Sequence, residues 1–184
     1  MKFTHLLIGT LVLTTMTAAN AQVQISTSNN WWAYLADYNG TPGATRVDMG
    51  QIEKAPIAEL PFVVIAGTKY ATSLKNGLPE ERELQRLNDL SDKLILAIVA
   101  LGPSAYVGTF THNKEQVHYV YAKDLTGVEE AFTKALKREC STCEVLYRTK
   151  RDPEWNTFLK FLYPNQATMQ FYHFDPKQRR TYKQ

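Results

Sequence analysis

The chain has 184 residues, of which 44% are hydrophobic and 21% are charged. This length fits one domain, and the composition excludes a disordered chain, a collagen and a coiled-coil rod. Lys and Arg together number 21 against 18 Asp and Glu, so the formal net charge of +3 is too small to predict a nucleic-acid partner. The two cysteines are too few for a mini-protein held by several disulfides or for a zinc site made only of cysteines.

The first 21 residues predict a cleavable signal peptide. Lys2 supplies a positive charge, residues 6–13 form a largely apolar run too short to span a bilayer, and residues 19–21 read Ala-Asn-Ala. This pattern places cleavage between Ala21 and Gln22. No later stretch is apolar enough to cross a membrane, so we expect an exported protein, periplasmic or secreted, without a transmembrane span. The alternative interpretation of the same residues is an uncleaved membrane anchor.

The next segment predicts an N-terminal β-hairpin. Two strand-like stretches, residues 32–38 and 45–50, flank the sequence Asn39-Gly40-Thr41-Pro42-Gly43-Ala44. Asn-Gly and Pro-Gly pairs both favour turns, so we expect two strands that are joined by a loose loop.

Residues 60–150 predict a β-α-β-β-α-β unit. Its first helix carries leucine and isoleucine at steps of three or four from Leu84 to Leu101, and Gly102-Pro103 ends it. The remaining elements are strands at 60–70, 105–111, 117–122 and 144–150 and a helix at 127–138. This order predicts an α+β fold, namely a ferredoxin-like two-layer sandwich whose two helices cover one face of an antiparallel sheet.

A third, C-terminal helix is predicted to start at Asp152-Pro153-Glu154-Trp155. In this interpretation Asp152 caps the helix and Pro153 occupies its first turn, while Pro164 ends it. Residues 170–174 favour a short terminal strand. The predicted organisation is a signal peptide over 1–21, a single domain over 22–174 with its core in 60–164, and a polar, basic tail over 175–184.

The segment Cys140-Ser141-Thr142-Cys143 has the C-x-x-C spacing of thiol-disulfide enzymes. The reactive cysteine of such an enzyme lies at a helix N-terminus, whereas this pair follows a predicted helix, where the dipole disfavours a thiolate. We therefore interpret Cys140 and Cys143 as a local disulfide, which an exported protein can form. The short loop that it closes predicts a modest stabilisation.

Five residues are candidates for a recognition surface: Asp152, Glu154, Trp155, Tyr119 and Tyr121. Two carboxylates and an indole at the start of a helix suit contact with a partner, and the two tyrosines share one predicted strand. A purely structural interpretation is favoured for the first three. In it Asp152 caps the helix, Glu154 complements the helix dipole and Trp155 packs against the sheet.

The histidines and the catalytic motifs give no further site. His112 lies at a predicted turn, and His118 and His173 lie in predicted strands, where we expect solvent-facing side chains. Their spacing matches no common metal-binding motif, and the sequence has no nucleophile elbow, Walker loop or dinucleotide fingerprint. We therefore predict no metal site and no cofactor, and we assign no catalytic residue.

Four short motifs carry a resemblance to a known family. They are Asn76-Gly77-Leu78-Pro79 followed by two glutamates; Tyr106-Val107-Gly108-x-Phe110-Thr111; Tyr119-Val120-Tyr121; and Asp152-Pro153-Glu154-Trp155 followed by Phe161-Leu162-Tyr163-Pro164. With these motifs the chain resembles the bacterial domain of unknown function six-nine-five family, from about Trp31 to Pro164. The last motif is the most specific of the four. The family has no established activity, so the resemblance implies no catalytic residue.

The β-α-β-β-α-β unit and the last helix are also similar to the ferredoxin-like family that includes regulator B of ribonuclease E. That resemblance implies a protein that binds and inhibits a cytoplasmic nuclease through acidic surfaces. This chain departs from the pattern, because it carries a predicted export signal and a positive net charge. Only the general role of a small binding or regulatory domain is therefore carried over.

Together these features predict an exported, non-enzymatic module that binds a protein or a small ligand. The alternative is a hydrolase-like periplasmic enzyme with an unrecognised active site on the open face of the sheet or under the hairpin. A deep pocket with converging polar groups and perturbed carboxylates favours the enzyme. A flat, exposed patch of aromatic residues favours the binding module.

Overall fold

The computed structural model describes residues 25–26, 28 and 30–175. The predicted signal peptide, its cleavage site between Ala21 and Gln22, and the basic tail beyond Asp175 lie outside the described residues. No helix in the described part of the chain combines the length and the apolar character that crossing a membrane requires.

The described chain is a mixed α+β fold built on one sheet. Six antiparallel strands follow one another in the order β2-β3-β5-β6-β4-β7, and the short β1 runs parallel to the start of β5. The strands are β1 (Ile25–Ser26), β2 (Trp31–Tyr38), β3 (Thr41–Asp48), β4 (Phe62–Lys69), β5 (Ser104–His112), β6 (Glu115–Ala122) and β7 (Val145–Arg151). The α-helices are α1 (Glu81–Val99), α2 (Val128–Glu139) and α3 (Gln166–Phe171), and a 3₁₀ turn covers Met49–Glu53.

The β2–β3 hairpin is present, but the prediction of a loose loop is wrong. A two-residue turn joins the strands, with φ of 56° at Asn39 and 81° at Gly40. Asn-Gly adopts two successive positive φ values easily, and the right-handed twist of the flanking strands favours such a turn. Pro42 and Gly43 therefore lie inside the ladder with β2. Because β3 also pairs with β5, the hairpin extends the sheet by two strands.

Helices α1 and α2 pack against each other on one side of the sheet, which we call the helix face. Helix α1 lies over β5 and β6, and α2 lies over β7. Helix α1 buries the predicted apolar stripe, although Leu84 and Leu101 near its two ends are exposed. Each fully buried leucine or isoleucine stabilises the fold by roughly 1.5–3 kcal/mol. Core residues on this face include Val64, Ala66, Leu90, Leu94, Ile98, Val120, Phe132 and Leu136.

The opposite side of the sheet, which we call the closed face, is covered by the segment that follows β7. Trp155, Phe158 and Leu162 of this segment are completely buried in a second apolar cluster. The predicted two-layer sandwich is therefore wrong in one respect, because this segment adds a third layer. Strand β4 explains the need for it, since Val63 and Val64 point to opposite faces and both are fully buried.

The third helix begins later than predicted and differs in type. Residues 152–155 form a turn, and a six-residue π-helical segment, Thr157–Leu162, follows it. The Asp152 carboxylate accepts hydrogen bonds from the backbone N–H groups of Asn156 at 3.0 Å and Thr157 at 2.8 Å. Asp152 thus caps the segment, as predicted. It does so across an intervening turn, since Asn156, not Asp152, directly precedes the segment.

Residues near the end of the described chain form α3 and not the predicted strand over 170–174. The Asn165 side chain accepts a hydrogen bond from the backbone N–H of Thr168 at 2.8 Å and so starts this helix. Tyr172, immediately after it, lies against the edge strand β2. Its hydroxyl accepts a hydrogen bond from the Leu35 N–H at 3.1 Å and donates one to the Leu35 carbonyl at 2.9 Å.

Candidate functional site

Trp155, a predicted recognition residue, lies inside the closed face. Its ring stacks on Tyr121 with the centroids 4.0 Å apart and the planes at 11°. Its indole N–H donates to the Leu60 carbonyl at 3.1 Å, so the one polar atom of the side chain is satisfied. The backbone φ of Trp155 is +53°, a value unusual for a bulky residue. This kink turns the ring into the core and separates the capping turn from the π-helical segment.

Asp152 is the centre of a buried hydrogen-bond network beside Trp155. The Tyr121 hydroxyl donates to the Asp152 carboxylate at 2.8 Å and accepts from the backbone N–H of Phe158 at 3.2 Å. Burial alone would raise the pKa of Asp152, but the hydrogen bonds from Thr157, Tyr121 and Asn156 outweigh it and hold that pKa below its usual value. Burial, with Asp152 as its neighbour, raises the pKa of Tyr121 far above the ordinary value. This network fixes the end of the chain onto the sheet.

The predicted recognition surface is therefore not a surface. Asp152, Trp155, Tyr119 and Tyr121 are all buried, and Glu154 alone is exposed. The reason is the third layer, which covers the strand positions that the tyrosines occupy. The structure favours the structural interpretation of the Asp-Pro-Glu-Trp motif, which caps a segment and buries a ring.

The two cysteines form a disulfide in the turn between α2 and β7, with their Cα atoms 5.3 Å apart. The Lys137 ammonium closes this turn by donating to the carbonyls of Ser141 at 3.2 Å and Cys143 at 2.6 Å. A guanidinium nitrogen of Arg86 lies 4.0 Å from the Cys143 sulfur. The bridge thus ties the end of α2 to the start of the edge strand β7.

A cleft of about 700 Å³ opens on the helix face and is the strongest site candidate. Helix α1 covers β5 and β6, but the hairpin carries the sheet past the helix, so β3 and β2 stay uncovered on this side. The helix side of the cleft is lined by Leu84, Asn88, Asp89, Ser91, Asp92 and Ile95. The strand side and the floor include Ala33, Leu35, Ala44, Arg46, Tyr106, Thr109, Thr111 and Gln116.

The first part of the floor is a network around His118. The Tyr106 hydroxyl lies 2.5 Å from Thr109 Oγ1, and both oxygens lie 3.3 Å from His118 Nδ1. Burial, helped by the positive charge of Arg46, lowers the pKa of His118 to about 4. Burial also raises the pKa of Tyr106 to about 12. The expectation of a solvent-facing His118 is wrong, because this position of β6 points under α1.

The second part of the floor is a chain of hydrogen bonds between α1 and the sheet. Ser91 Oγ lies 2.5 Å from the Leu87 carbonyl and 3.2 Å from Gln116 Oε1. The Gln116 amide nitrogen donates in turn to Thr111 Oγ1 at 3.3 Å. All these groups lie in the buried layer between helix and strands, so their hydrogen bonds satisfy groups that would otherwise be desolvated at a cost.

The walls of the cleft carry opposite charges. Arg46 pairs with Thr109 across the ladder, so both side chains lie on the helix face. Its guanidinium carbon is 4.5 Å from the Trp31 ring centroid, and that ring is 5.2 Å from the Tyr106 ring. Asp89 and Asp92 line the opposite wall from α1. None of these three charged groups forms an ion pair with a described residue.

Sequence reasoning missed this cleft. One sign was available, since Thr109 and Thr111 lie two positions apart on one predicted strand and His118 lies on the next. Polar side chains on a face that two helices should cover indicate either a polar layer or an open site. Arg46 carried no such sign, because only the pairing of β3 with β5 brings it to α1. No group of His, Cys, Asp and Glu able to hold a metal ion occurs among the described residues.

Comparison with known proteins supports a family assignment and nothing more specific. No curated protein matches the chain, and no solved structure does. The similarity to the family of regulator B of ribonuclease E therefore stays a prediction. A family model with the description "Family of unknown function (DUF695)" matches residues 29–163 and so includes the hairpin, both helices and the closed face. The match covers most of the chain, which confirms the predicted resemblance: the chain belongs to the DUF695 family.

Proposed function

We propose that the protein is an exported, non-enzymatic binding module whose ligand occupies the cleft between α1 and the hairpin. The observation that carries the proposal is that Arg46 on one wall and Asp89 and Asp92 on the other line the same cleft, and none of them forms an ion pair with a described residue. A volume of about 700 Å³ lies in the range of small-ligand sites. The exposed Leu35 and Leu84 at the rim add apolar contact area.

The burial and the low pKa of His118 in the floor of the cleft support binding over catalysis. A general base needs a pKa near the working pH and access to the substrate proton. His118 is fully buried with a pKa of about 4, and its Nδ1 faces Tyr106 and Thr109. Asp152, a carboxylate whose pKa is lowered, lies on the closed face, away from the cleft. The hydrolase alternative therefore has converging polar groups, but the histidine among them is buried and contacts Tyr106 and Thr109.

The proposal includes a ferredoxin-like arrangement of residues 62–151. Two observations support it: the order β5-β6-β4-β7 with antiparallel neighbours throughout, and the position of both connecting helices on one face. In this view the hairpin is an addition that creates the cleft, since it widens the sheet beyond the reach of α1.

Export is the second part of the proposal and is supported by the signal-like first 21 residues. N-terminal sequencing of the exported protein should begin at or near Gln22. Recovery of the full-length chain from the cytosol would contradict this part of the proposal and leave the cleft untouched.

Trp31 offers a direct test of the cleft. Trp32 and Trp155 are buried on the closed face, whereas Trp31 is partly exposed and contacts Arg46. A small-molecule library should therefore contain compounds that change the emission of Trp31 in the purified exported protein. Trp31→Phe should remove this response while calorimetry still detects binding.

The matched charge variants are Arg46→Gln and Arg148→Gln. Arg148 is an exposed arginine of β7 that lies near Tyr119 of the closed face. Arg46→Gln should weaken every cleft ligand, and Arg148→Gln should not. A hydrolase activity that is lost in Arg46→Gln but kept in Arg148→Gln would instead support the enzyme alternative.

A further inference from the structure

The guanidinium of Arg46 is held in place but keeps its hydrogen-bond donors. Its guanidinium carbon lies over the Trp31 ring, 4.5 Å from the ring centroid, which is a cation–π contact. The N–H donors of a guanidinium lie in its plane, so a stacked arginine can still bind a carboxylate through two parallel hydrogen bonds. Arg46 makes no ion pair with a described residue, and its side chain is exposed at the cleft. This wall is therefore a built site for an anion.

The facing wall has the complementary character. Asp89 and Asp92 are three residues apart on α1, so their side chains share one face of the helix. Both are exposed and line the cleft, as does the Asn88 side chain. Arg46 and Asp92 both act on Tyr106, the first lowering and the second raising its pKa, so both charges lie near the same point of the floor.

The two walls do not close onto each other. An arginine and an aspartate within 4 Å would form an ion pair, yet Arg46 reaches neither aspartate. The strand is fixed by its ladder and the helix by its core, so the charges stay apart across the open space. A ligand that contacts both walls needs a negative group for Arg46 and a positive group for the two aspartates.

We propose that the cleft binds short peptides with free termini, the terminal carboxylate at Arg46 and the terminal ammonium at Asp89 and Asp92. This inference rests on the proposed function and names the ligand class of the same site. The peptide amides would face the Asn88 side chain, which is exposed on the helix wall of the cleft. Apolar side chains of the peptide would contact the exposed Leu35 and Leu84 at the rim.

The probe is trileucine in three forms: with both termini free, N-acetylated, and C-amidated. Calorimetry on the exported protein should show that each block weakens binding by about tenfold or more, since each removes one charge-assisted contact. Free leucine should bind more weakly than trileucine, because it has no peptide amides and fewer apolar groups to contact the cleft. Rising salt concentration should weaken the free peptide most, since its contacts are ionic.

The variants assign each terminus to a wall. In Arg46→Gln, C-amidation should no longer matter while N-acetylation still does. In the double variant Asp89→Asn with Asp92→Asn the reverse should hold. Arg148→Gln and Glu130→Gln, exposed charges of β7 and α2, should retain the full response to both blocks. The three cleft residues are exposed, so these variants should unfold at the wild-type temperature.

Two results separate this inference from the proposed function. If blocked and free trileucine bind equally, or if trileucine does not bind while another compound responds through Trp31 and Arg46, the peptide inference is wrong and the cleft remains a binding site. If no compound responds through Arg46, both are wrong.

Discussion

The charged groups on the two faces of the sheet differ in their exposure and in their pairing. On the closed face, Asp152 and Tyr121 are buried under the last segment, and their hydrogen bonds hold that segment in place. On the helix face, Arg46, Asp89 and Asp92 stay exposed and unpaired with other described residues. The same strands serve both faces, since Thr45 and Val47 are buried while Arg46, between them, is not. The polar groups of the closed face therefore stabilise the fold, whereas the charged groups of the cleft stay exposed.

The largest effect is expected when one tryptophan on each face is replaced. Trp155→Ala should lower the free energy of unfolding by about 3–5 kcal/mol, because it removes a fully buried ring that stacks on Tyr121. Trp31→Ala, on the helix face beside Arg46, should cost only about 1–2 kcal/mol, since the ring packs against Tyr106 but is partly exposed. Urea unfolding of both variants measures the difference. Equal losses would show that the two faces do not differ in their structural role.

The second test uses pH, with His118 as the group that titrates. Its pKa is about 4 in the folded chain and near 6.5 when unfolded, so only the unfolded chain gains a proton between these values. The contribution of His118 to stability is thus fully present above pH 6.5. The free energy of unfolding falls by roughly 3 kcal/mol as the pH drops to 4. His118→Asn keeps an acceptor near Thr109 and should flatten this dependence.

The control for the pH test is His112→Asn, at the outer end of β5. It removes a histidine outside the His118 network, so the change in slope that it causes is the baseline against which His118→Asn is compared. A wild-type slope in His118→Asn would show that the floor of the cleft does not hold a neutral histidine.

The third test compares two aspartates. Asp152→Ala should cost about 1–3 kcal/mol, because the Tyr121 hydroxyl and two backbone N–H groups lose their acceptor. The pKa of Asp152 is below its usual 3.8, so its contribution is present above that pH and is lost on further acidification. Asp92→Ala should change stability by no more than about 0.5 kcal/mol. If Asp152→Ala abolished ligand binding at unchanged stability, Asp152 would belong to a recognition site after all.

The smallest effect is expected for the disulfide. Reduction of the Cys140–Cys143 bridge should lower the free energy of unfolding by less than about 2 kcal/mol, since it closes a very short loop. Ligand affinity should not change, because the bridge lies in the turn after α2 and outside the cleft lining. Thiol titration of the native protein should find no reactive thiol before reduction. Two free thiols in the native protein would contradict the bridge.

The helices and strands of residues 60–150 could be predicted because each has a local pattern. The stripe from Leu87 to Ile98 repeats every three or four residues, and the structure buries it. Local patterns do not show which element covers a strand, however. Tyr119 and Tyr121 have the sequence of an exposed aromatic strand, and only the return of the chain after β7 buries them.

The candidate site depends on long-range pairing and so was not predictable in the same way. Arg46 reaches the cleft because β3 joins β5, more than sixty positions along the chain. The predicted hairpin is present, but the loose loop was predicted over residues 39–44. The first residues of β3, which starts at Thr41, were therefore assigned to that loop. The expectation of a solvent-facing His118 rested on its place in a strand, which does not distinguish a solvent-facing position from one under a helix.

The contact between Tyr172 and Leu35 has a consequence for self-association. An outermost strand with free main-chain groups is a template on which another molecule can add a strand, and natural proteins block such templates. The Tyr172 hydroxyl occupies both main-chain groups of Leu35, in the middle of β2. Tyr172, the residue directly after α3, therefore blocks strand addition at this point of the β2 edge.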